Sequence, residues 1–413
     1  MPATTDPSPP LRVLIIGCGN TAGGFDAERP ASAPPLTHAG AYSRHGGFRL
    51  AACVEPDAAQ REAFMQRWLV ERGFGSIEAT AAAGPFDVVS LCSPTALHAA
   101  HIAAVLSLHP RLLFCEKPVT ASADDTAAAV EVCATAGVKM AVNHSRRWAP
   151  DLRRLGAELA AGQWGAVRSA TGLYNKGVLH NGSHLVDVLQ MLLGPLQLLA
   201  AGLPVFDHWH DDPSVPALLQ SRQGVPVSLN VAHAADYALF ELQLLTERGM
   251  VVMEDGGAGW RLRRTVGGVR FKGAAVLDGG QRVHGEFPAS MAAAVADIHQ
   301  VLTCGGTPAS SGETALAAQR LAEEIGCRAL ARAAAGAGAA AEFSHSTEPA
   351  TISSAFLSTR SPATLPMPMD RPRGAPAAAV PTPDDGHGAA PRLPGPRAAR
   401  APRDSSASAV AQA

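Results

Sequence analysis

The amino-acid sequence predicts a parallel, doubly wound α/β sheet followed by an α+β domain whose sheet is antiparallel or mixed. Three observations lead to this fold class. Short apolar runs alternate with helical patterns at first, consecutive strand patterns joined by glycine turns follow, and the last part is rich in alanine, proline, glycine and serine. Alternation of the first kind is typical of βαβ units, in which helices connect parallel strands.

The 413 residues are enough for two domains and a tail. We expect a flexible arm over residues 1–10, an α/β domain over residues 11–147 and an α+β domain over residues 148–334. Residues 335–413 contain too few large apolar side chains to offset their conformational entropy, which predicts a disordered tail.

In the first domain, apolar runs bounded by turns indicate buried strands. The predicted strands are Arg12–Ile16, Phe48–Val54, Asp87–Cys92, Leu112–Cys115 and Lys139–Val142. The helices predicted between them are Thr37–Arg44, Asp57–Trp68, Ala96–Leu106 and Ala123–Ala136. Thr37 and Asp57 are residue types that begin helices.

In the second domain, short glycine turns between strand patterns predict antiparallel pairing. The predicted strands are Val167–Tyr174, Val225–Ala232, Phe240–Thr246, Met250–Met253 and Trp260–Val266. Three helices are expected to cover one face of this sheet: Ser183–Leu193, Ala289–Leu302 and Gly312–Ala334.

The composition argues against several classes of protein. The formal net charge is only −2 and the folded part has no dense Lys/Arg block, which argues against nucleic acid as a partner. The first apolar run, Val13–Ile16, is too short for a signal peptide or a membrane span. The seven cysteines form no CxxC pair, as expected of buried thiols in a reducing compartment. We expect a cytoplasmic protein that contacts no membrane.

A glycine-rich turn follows the first strand and fits the dinucleotide pattern G-x-G-x-x-[GA]. Gly17 permits a tight turn, Gly19 lets the backbone approach a pyrophosphate, and Ala22 allows close packing. Such a pattern also occurs in ordinary loops. The cofactor-binding residues expected here are Gly17, Gly19, Asn20, Thr21 and Ala22.

Glu55 ends the second strand, where it can accept hydrogen bonds from ribose hydroxyls and repel a 2′-phosphate, so NAD is favoured over NADP. Alternatively, it is a solvated strand-end carboxylate. Glu55 lies 36 residues after Gly19, more than the usual spacing of about 20, because Gly23–Pro35 is inserted. This insertion can cap the pyrophosphate or disturb the contact with the helix, and the sequence leaves both open.

Polar residues follow the later strands at the edge where doubly wound sheets bind ligands. Lys117 can donate to a substrate oxygen and stabilise an alkoxide, unless it is a surface lysine. His98 faces either the nicotinamide or solvent, and the segment 143–148 either lines a cleft or pairs across the domain junction. The cofactor-binding residues expected here are Ser93, Pro94, Thr95, His98, Glu116, Lys117 and Asn143.

His180 and His184 are four residues apart, and Asp187 follows three residues later. A helix starting at Ser183 would place His184 near the positive dipole end, which lowers an imidazole pKa and favours the neutral form of a base. Asp187 can instead orient that ring. Each histidine can also be purely structural. The segment lacks the glutamate of HExxH and an evident third ligand, so we expect no metal.

In combination, these motifs resemble those of the Gfo/Idh/MocA oxidoreductases, the glucose-fructose oxidoreductase and inositol dehydrogenase group. The resemblance covers about residues 11–334 and rests on GCGN, SPTALHA, CEKPVT, NHSRRW and GSHLVD. It implies a Rossmann domain and an open-faced sheet domain that serves substrate binding and oligomerisation. It further implies that Lys117 binds the substrate hydroxyl and that His184 takes its proton. The family commonly has aspartate where this chain has His180, so either His180 substitutes for it or the reaction differs.

The resemblance implies an NAD(P)-dependent oxidoreductase that acts on a CH–OH group of a sugar, cyclitol or sugar derivative. The expected catalytic residues are Lys117, His184 and His180, and the expected substrate-binding residues are Lys117, Arg146, Asn181 and His184. A homo-oligomer, dimer or tetramer, is expected. The alternatives are a non-catalytic dinucleotide-binding sensor or scaffold and an NAD-using glycosidase on the same fold.

Overall fold

The structure is a computed structural model that describes residues 9–268 and 273–345. Its first sheet consists of six parallel strands: β1 (Leu11–Ile16), β2 (Phe48–Val54), β3 (Arg72–Phe74), β4 (Val88–Leu91), β5 (Leu112–Cys115) and β6 (Lys139–Val142). Their spatial order is β3-β2-β1-β4-β5-β6, the doubly wound Rossmann order. The order reverses between β1 and β4, which creates a crevice at the carboxyl ends of these strands.

The apolar runs of the first sheet are explained by burial on both faces. Along β1, Val13 and Ile15 join one apolar cluster, whereas Leu14 and Ile16 join the cluster on the opposite face. Successive side chains of a strand point to opposite faces, so a strand buried on both sides contains no polar positions. This arrangement confirms the five predicted strands. The short edge strand β3 was not predicted.

Four helices connect these strands: α1 (His38–Tyr42), α2 (Ala58–Trp68), α3 (Thr95–Leu106) and α4 (Ala123–Thr135). Thr37 caps α1 by accepting a hydrogen bond from the backbone N–H of Gly40. Asp57 caps α2 by accepting one from Gln60. Both predicted helix starts are confirmed.

The insertion separates the glycine turn from α1 in the sequence, but helical hydrogen bonds still join the two segments. The N–H of His38 donates to the carbonyl of Thr21 at 3.2 Å, and that of Ala39 donates to Ala22 at 2.8 Å. In a continuous helix the donor follows its acceptor by four residues, and here it follows by seventeen. The difference equals the length of Gly23–Pro35. The insertion therefore accounts for the long spacing to Glu55, and α1 stays joined to the glycine turn.

Asp26 holds the insertion closed at the point where the chain re-enters the helix. Its buried carboxylate accepts hydrogen bonds from the N–H groups of Leu36 and Thr37, both at 2.9 Å. It also accepts one from the Thr37 hydroxyl at 2.7 Å and pairs with Arg29 at 3.3 Å. A single carboxylate thus satisfies three donors that would otherwise be unpaired at the base of the loop.

The second sheet is mixed and mostly antiparallel. Its strands are β7 (Val167–Tyr174), β8 (Leu196–Ala201), β9 (Ala217–Ser221), β10 (Pro226–Val231), β11 (Phe240–Thr246), β12 (Gly249–Glu254), β13 (Gly259–Gly267), β14 (Ala275–Leu277) and β15 (Gln281–His284). The order is β14-β13-β12-β11-β7-β10-β9-β8, and β15 pairs with β13. Within the described residues, only β7 and β10 pair in parallel in this sheet. The predicted mixed sheet is confirmed, but β8, β9, β14 and β15 were not predicted.

The helices that accompany the second sheet differ from the prediction at several points. The unpredicted α5 (Pro150–Ala160) and the predicted α6 (Ser183–Leu193) pack on one face of this sheet. The prediction that the next helix, α7 (Ser290–Cys304), covers this sheet is wrong. Its residues Val295 and Ile298 belong instead to an apolar cluster of the first sheet that includes Val13 and Ile15. An apolar stripe shows that a helix is buried but not against which sheet.

The last described helix, α8 (Gly312–His345), bridges the two cores. Ala315 belongs to a cluster of the first sheet, whereas Leu321 and Ile325 belong to the core of the second. The helix continues to His345, so the chain is helical where the predicted tail begins. The rest of that tail and the arm up to residue 8 lie outside the described residues. No helix in the described part of the chain is long and apolar enough to cross a membrane.

We expect Asp26→Ala to lower the free energy of unfolding by about 1–3 kcal/mol, because it leaves buried donors at Leu36 and Thr37 without an acceptor. Urea denaturation followed by circular dichroism measures the change. The control is Glu28→Ala, an exposed acid of the same insertion, which should change stability by less than about 0.5 kcal/mol. Equal effects of the two variants would contradict the assigned role of Asp26.

Candidate active site

The glycine turn lies at the carboxyl end of β1 and opens toward the crevice. Gly17 has φ +84°, and a Cβ there would lie 2.7 Å from the backbone nitrogen of Ser93, so only glycine fits. At Gly19, by contrast, no described atom lies within 4 Å of the position that a Cβ would take, so its surface is open to a ligand. This is the geometry that a close backbone approach to a pyrophosphate requires.

Glu55 supports this turn from the end of β2. One carboxylate oxygen accepts a hydrogen bond from the N–H of Cys18 at 3.0 Å, and the other accepts one from Asp57 at 3.2 Å. The guanidinium of Arg61, on α2, donates to the Glu55 carbonyl. The sequence analysis missed Arg61, since it is six residues away and reaches Glu55 only because α2 folds back over the strand end.

His98 ties together the loops that follow β4 and β5. Its Nε2 lies 2.8 Å from the Ser93 carbonyl and its Nδ1 lies 3.0 Å from the Val119 carbonyl. The side chain is 1% exposed, so the alternative in which it meets solvent is wrong. His98 therefore fixes the position of the loop that begins at Ser93 and continues through Pro94 and Thr95 into α3.

Glu116 is the centre of a buried polar network at the end of β5. Its Oε1 accepts hydrogen bonds from His38 at 3.0 Å and from Asn143 at 2.8 Å. Burial would raise the pKa of Glu116, but its interactions with His38, Asn143 and Lys117 outweigh burial and lower it. The sequence analysis missed His38, which reaches the network only because the helix resumes its register after the insertion.

Lys117 extends from the end of β5 to the second domain. Its Nζ donates to the backbone carbonyl of His180 at 3.0 Å. Burial lowers the pKa of Lys117, and Arg146 lowers it further, while Glu116 and Asp212 oppose the change. The lysine and the histidine segment, separated by more than sixty residues, thus meet at one place.

His184 is buried beside Lys117. The ring is 3% exposed and lies 5.2 Å from the ring of His144 in an edge-on arrangement. Neither ring nitrogen has a hydrogen-bond partner among residues 9–268 and 273–345. Burial lowers the pKa of His184 well below its usual value, and Lys117, His144 and Arg146 lower it further.

The expected cause of this lowered pKa was the end of a helix, and that explanation is wrong. A π-helical segment, Gly177–Gly182, runs directly into α6, so His184 is not in the first helical turn. Burial and neighbouring positive groups lower the pKa instead.

The sequence spacing suggested that Asp187 orients His184, but the structure shows a different partner for Asp187. Both of its carboxylate oxygens accept from Nε of Arg147, at 2.7 and 2.9 Å. Burial raises the pKa of Asp187 to about 6 against the opposing effect of Arg147. This buried pair connects the first-domain junction to α6 and leaves the imidazole of His184 without a carboxylate.

Arg146 adds a second permanent charge to the site. Its guanidinium lies 3.8 Å from the ring centroid of Phe240 and 4.6 Å from that of Phe287, and it donates to the carbonyl of Gly256. Burial lowers its pKa to about 9. Asn181, also expected to bind substrate, donates its side-chain amide to the carbonyl of Asn175 at 2.9 Å.

Several buried polar atoms around Lys117 have no partner in the described part of the chain. They are Asn143 Oδ1, His144 Nδ1, Arg146 Nη1 and both ring nitrogens of His184. Buried polar atoms are normally hydrogen-bonded, so such a group fits a site that receives a polar ligand. A small cleft of about 40 Å³ lies alongside and is lined in part by Lys117, His144 and Ser183. These residues fit a substrate rich in oxygen atoms.

The fold and the site together define a Rossmann-fold nucleotide-binding domain that shares a polar site with an α+β domain. A family model described as "Oxidoreductase family, NAD-binding Rossmann fold" matches residues 11–144. Residues 11–144 are thus similar to the NAD-binding domain of the Gfo/Idh/MocA oxidoreductases.

Relatives with named activities match parts of the chain. D-xylose 1-dehydrogenase (NADP(+)) 2 of Haloferax volcanii is 38% identical over 127 residues, which is 30% of this chain and 38% of that protein. Inositol 2-dehydrogenase of Rhizobium meliloti is 25% identical over 243 residues, 53% of this chain and 72% of that protein. For two further sugar dehydrogenases, the matched part is 56% and 51% of their length. The chain thus spans about half the length of most of these relatives.

Solved structures share the fold over a longer stretch. An oxidoreductase from Agrobacterium radiobacter in complex with NAD⁺, L-tartaric acid and magnesium is 20% identical with a TM-score of 0.63, covering 78% of this chain and 96% of that one. An NAD-binding oxidoreductase from Klebsiella pneumoniae is 18% identical with a TM-score of 0.65, covering 78% and 97%. These similarities show that the chain shares the fold of these structures over 78% of its length.

We expect Arg147→Ala to destabilise the protein by about 3–5 kcal/mol, because it leaves the Asp187 carboxylate buried without a partner. The loss should grow as the pH rises above 4, since the buried carboxyl group then holds a proton that the unfolded chain releases. Urea denaturation at several pH values measures it. Arg153→Ala, at an exposed position of α5, serves as the control. A change below about 0.5 kcal/mol in Arg147→Ala would contradict this account.

Proposed function

We propose that the protein is an NAD(H)-dependent oxidoreductase that transfers a hydride between nicotinamide and a hydroxyl or keto carbon of a sugar, cyclitol or sugar derivative. One observation carries the proposal: Lys117 Nζ lies at the His180 carbonyl, beside the unpartnered ring of His184, at the carboxyl edge of an NAD-binding sheet. The sugar and inositol dehydrogenases among the relatives support the substrate class.

The cofactor would be held by the turn Gly17–Ala22, whose open surface at Gly19 admits a pyrophosphate. When bound, NAD supplies the hydride acceptor. Ser93, Pro94, Thr95 and Asn143 follow strand ends on the same edge of the sheet, and we propose that they contact the cofactor, with His98 and Glu116 holding their loops in place.

NAD is the proposed cofactor because the Glu55 carboxylate at the end of β2 would hydrogen-bond ribose hydroxyls and repel a 2′-phosphate. Arg61 lies on the other side, at the Glu55 carbonyl, and would attract such a phosphate. The Haloferax relative is named for NADP(+) and the Agrobacterium structure contains NAD⁺. The opposing effects of the Glu55 carboxylate and the Arg61 guanidinium on a 2′-phosphate therefore decide whether this chain prefers NAD or NADP.

At the substrate, Lys117 would donate a hydrogen bond to the reacting oxygen and stabilise the negative charge that develops there. His184, kept neutral by burial and by the charges around it, would accept the hydroxyl proton. Arg146 and Asn181 would hold other oxygens of the substrate. A substrate held by several of these groups at once would be restricted in its orientation, which would lower the entropic part of the barrier.

We further propose a cytoplasmic homo-oligomer that serves carbohydrate metabolism. All seven cysteines are free thiols, and five of them are buried, which suits a reducing compartment. Leu199, Leu218 and Leu245 expose apolar side chains on strands of the second sheet, which suits contact with another copy of the chain.

We expect Lys117→Ala and His184→Ala each to lower kcat by about 10²–10⁴-fold while the Kd for NAD stays within a few-fold, because both side chains act on the substrate rather than on the dinucleotide. NADH absorbance with a panel of polyols, sugars and sugar acids measures turnover, and titration calorimetry measures binding. Lys139→Ala, an exposed strand-end lysine, is the control. Full turnover in both variants would refute the proposal, and release of free sugar without NADH would favour the glycosidase alternative.

We expect Glu55→Gln to reduce the ratio of kcat/KM for NAD over NADP by about 10- to 100-fold, since the amide keeps an acceptor for Cys18 but removes the charge that repels a 2′-phosphate. Glu62→Gln, exposed on α2, should leave the ratio unchanged. An unchanged ratio in Glu55→Gln would show that Arg61 or another group sets the preference.

A further inference from the structure

His180 is paired with a carboxylate that is distant in sequence. Its Nδ1 lies 2.7 Å from Oδ2 of Asp212, which stands in the connection between β8 and β9. Asp212 is 3% exposed and also accepts hydrogen bonds from the backbone N–H groups of Leu179 and His180. One buried carboxylate therefore fixes both the π-helical turn and the imidazole that this turn carries.

This pairing selects one tautomer of the imidazole. An ionised carboxylate only accepts hydrogen bonds, so the proton of neutral His180 must be on Nδ1, and Nε2 then presents a lone pair. The ring stacks on Trp209 with centroids 4.4 Å apart and an interplanar angle of 19°. The His180 side chain remains 45% exposed, so solvent reaches it.

The two histidines differ in their ability to carry a positive charge. Protonated His184 would be buried among Lys117, Arg146 and His144, and the nearby Asp187 is bound to Arg147. Protonated His180 would have the Asp212 carboxylate 2.7 Å from its Nδ1 and water at its exposed edge. The surroundings of His180 thus offer a positive charge a carboxylate and water, whereas those of His184, among the described residues, offer it neither.

We propose that His180 is the final acceptor of the proton that leaves the reacting hydroxyl, and that Asp212 is the positioning residue that makes it a base. This rests on the proposed function. The O–H bond of the substrate breaks and its proton passes by way of His184 to Nε2 of His180, where an N–H bond forms. Bound NAD would supply the acceptor for the hydride of the carbon that bears this hydroxyl, and His180 then releases its proton to water.

The immediate charged neighbours of His180 are few. Lys117 contacts its carbonyl and Asp212 contacts its ring. Other titratable groups stand in the same connection before β9 as Asp212, namely Asp207, His208, His210 and Asp211. Among these, Asp207 makes a useful comparison. It accepts hydrogen bonds from the backbone of Lys176 and from the Ser214 hydroxyl, both at 2.9 Å. It thus supports the same turn without contacting the imidazole of His180.

The test compares Asp212→Asn with Asp207→Asn in the full-length protein. We expect Asp212→Asn to lower kcat for alcohol oxidation by at least about tenfold, to leave KM for NAD within a few-fold, and to shift the acidic limb of the kcat profile to lower pH, because the imidazolium loses its carboxylate partner. Asp207→Asn should leave the shape of the pH profile unchanged, whatever its effect on thermal stability. His180→Ala should lose as much kcat as Asp212→Asn. Parallel losses with unchanged pH profiles in both aspartate variants would overturn the proposal, as would full activity of His180→Ala.

A second measurement needs no substrate. Nitrogen-15 NMR of the imidazole side chains should show His180 as the Nδ1–H tautomer in the native protein and as a mixture in Asp212→Asn. A native Nε2–H tautomer would refute the role of Asp212 even in an active enzyme. If instead the tautomer is as expected but no hydroxyl compound is oxidised, the pairing stands and the proposed function fails.

Discussion

The site depends on the hydrogen bond between the Lys117 ammonium and the His180 carbonyl, because this contact joins the edge of the first sheet to the π-helical turn of the second domain. A partly buried ammonium is costly unless negative groups compensate it. Two carboxylates favour its charge, Glu116 from its own loop and Asp212 from the second domain. Arg146 disfavours the positive charge of Lys117. An electron-rich substrate oxygen bound to the ammonium would offset this repulsion.

The sequence predicted the first sheet well because burial on both faces leaves a continuous apolar run, as in Leu112–Cys115. It predicted the helix caps because Thr37 and Asp57 act locally. It did not predict β8 or β9, because their sequences, LQLLAA and ALLQS, do not alternate regularly between apolar and polar residues. It also assigned α7 to the wrong sheet, since the choice between two apolar surfaces is made only when the chain folds.

For the candidate site, motif positions were predictable and partners were not. The spacing of His184 and Asp187 suggested a local pair, but Asp187 binds Arg147, forty residues earlier. His180 is likewise paired with Asp212, thirty-two residues later, which no local pattern indicates. A helical spacing brings two side chains onto one face of a helix, whereas burial and charge decide which distant group each of them meets.

Because α1 resumes at His38 after the insertion Gly23–Pro35, the length of the inserted loop can change in evolution without a change in the position of the helix. Thr21 and Ala22 offer the same carbonyls whatever length of chain departs between them and His38, and doubling a loop costs only about 0.6 kcal/mol of closure entropy. Natural variation can therefore lengthen or trim the inserted loop residue by residue, while the glycine turn and α1 keep their places.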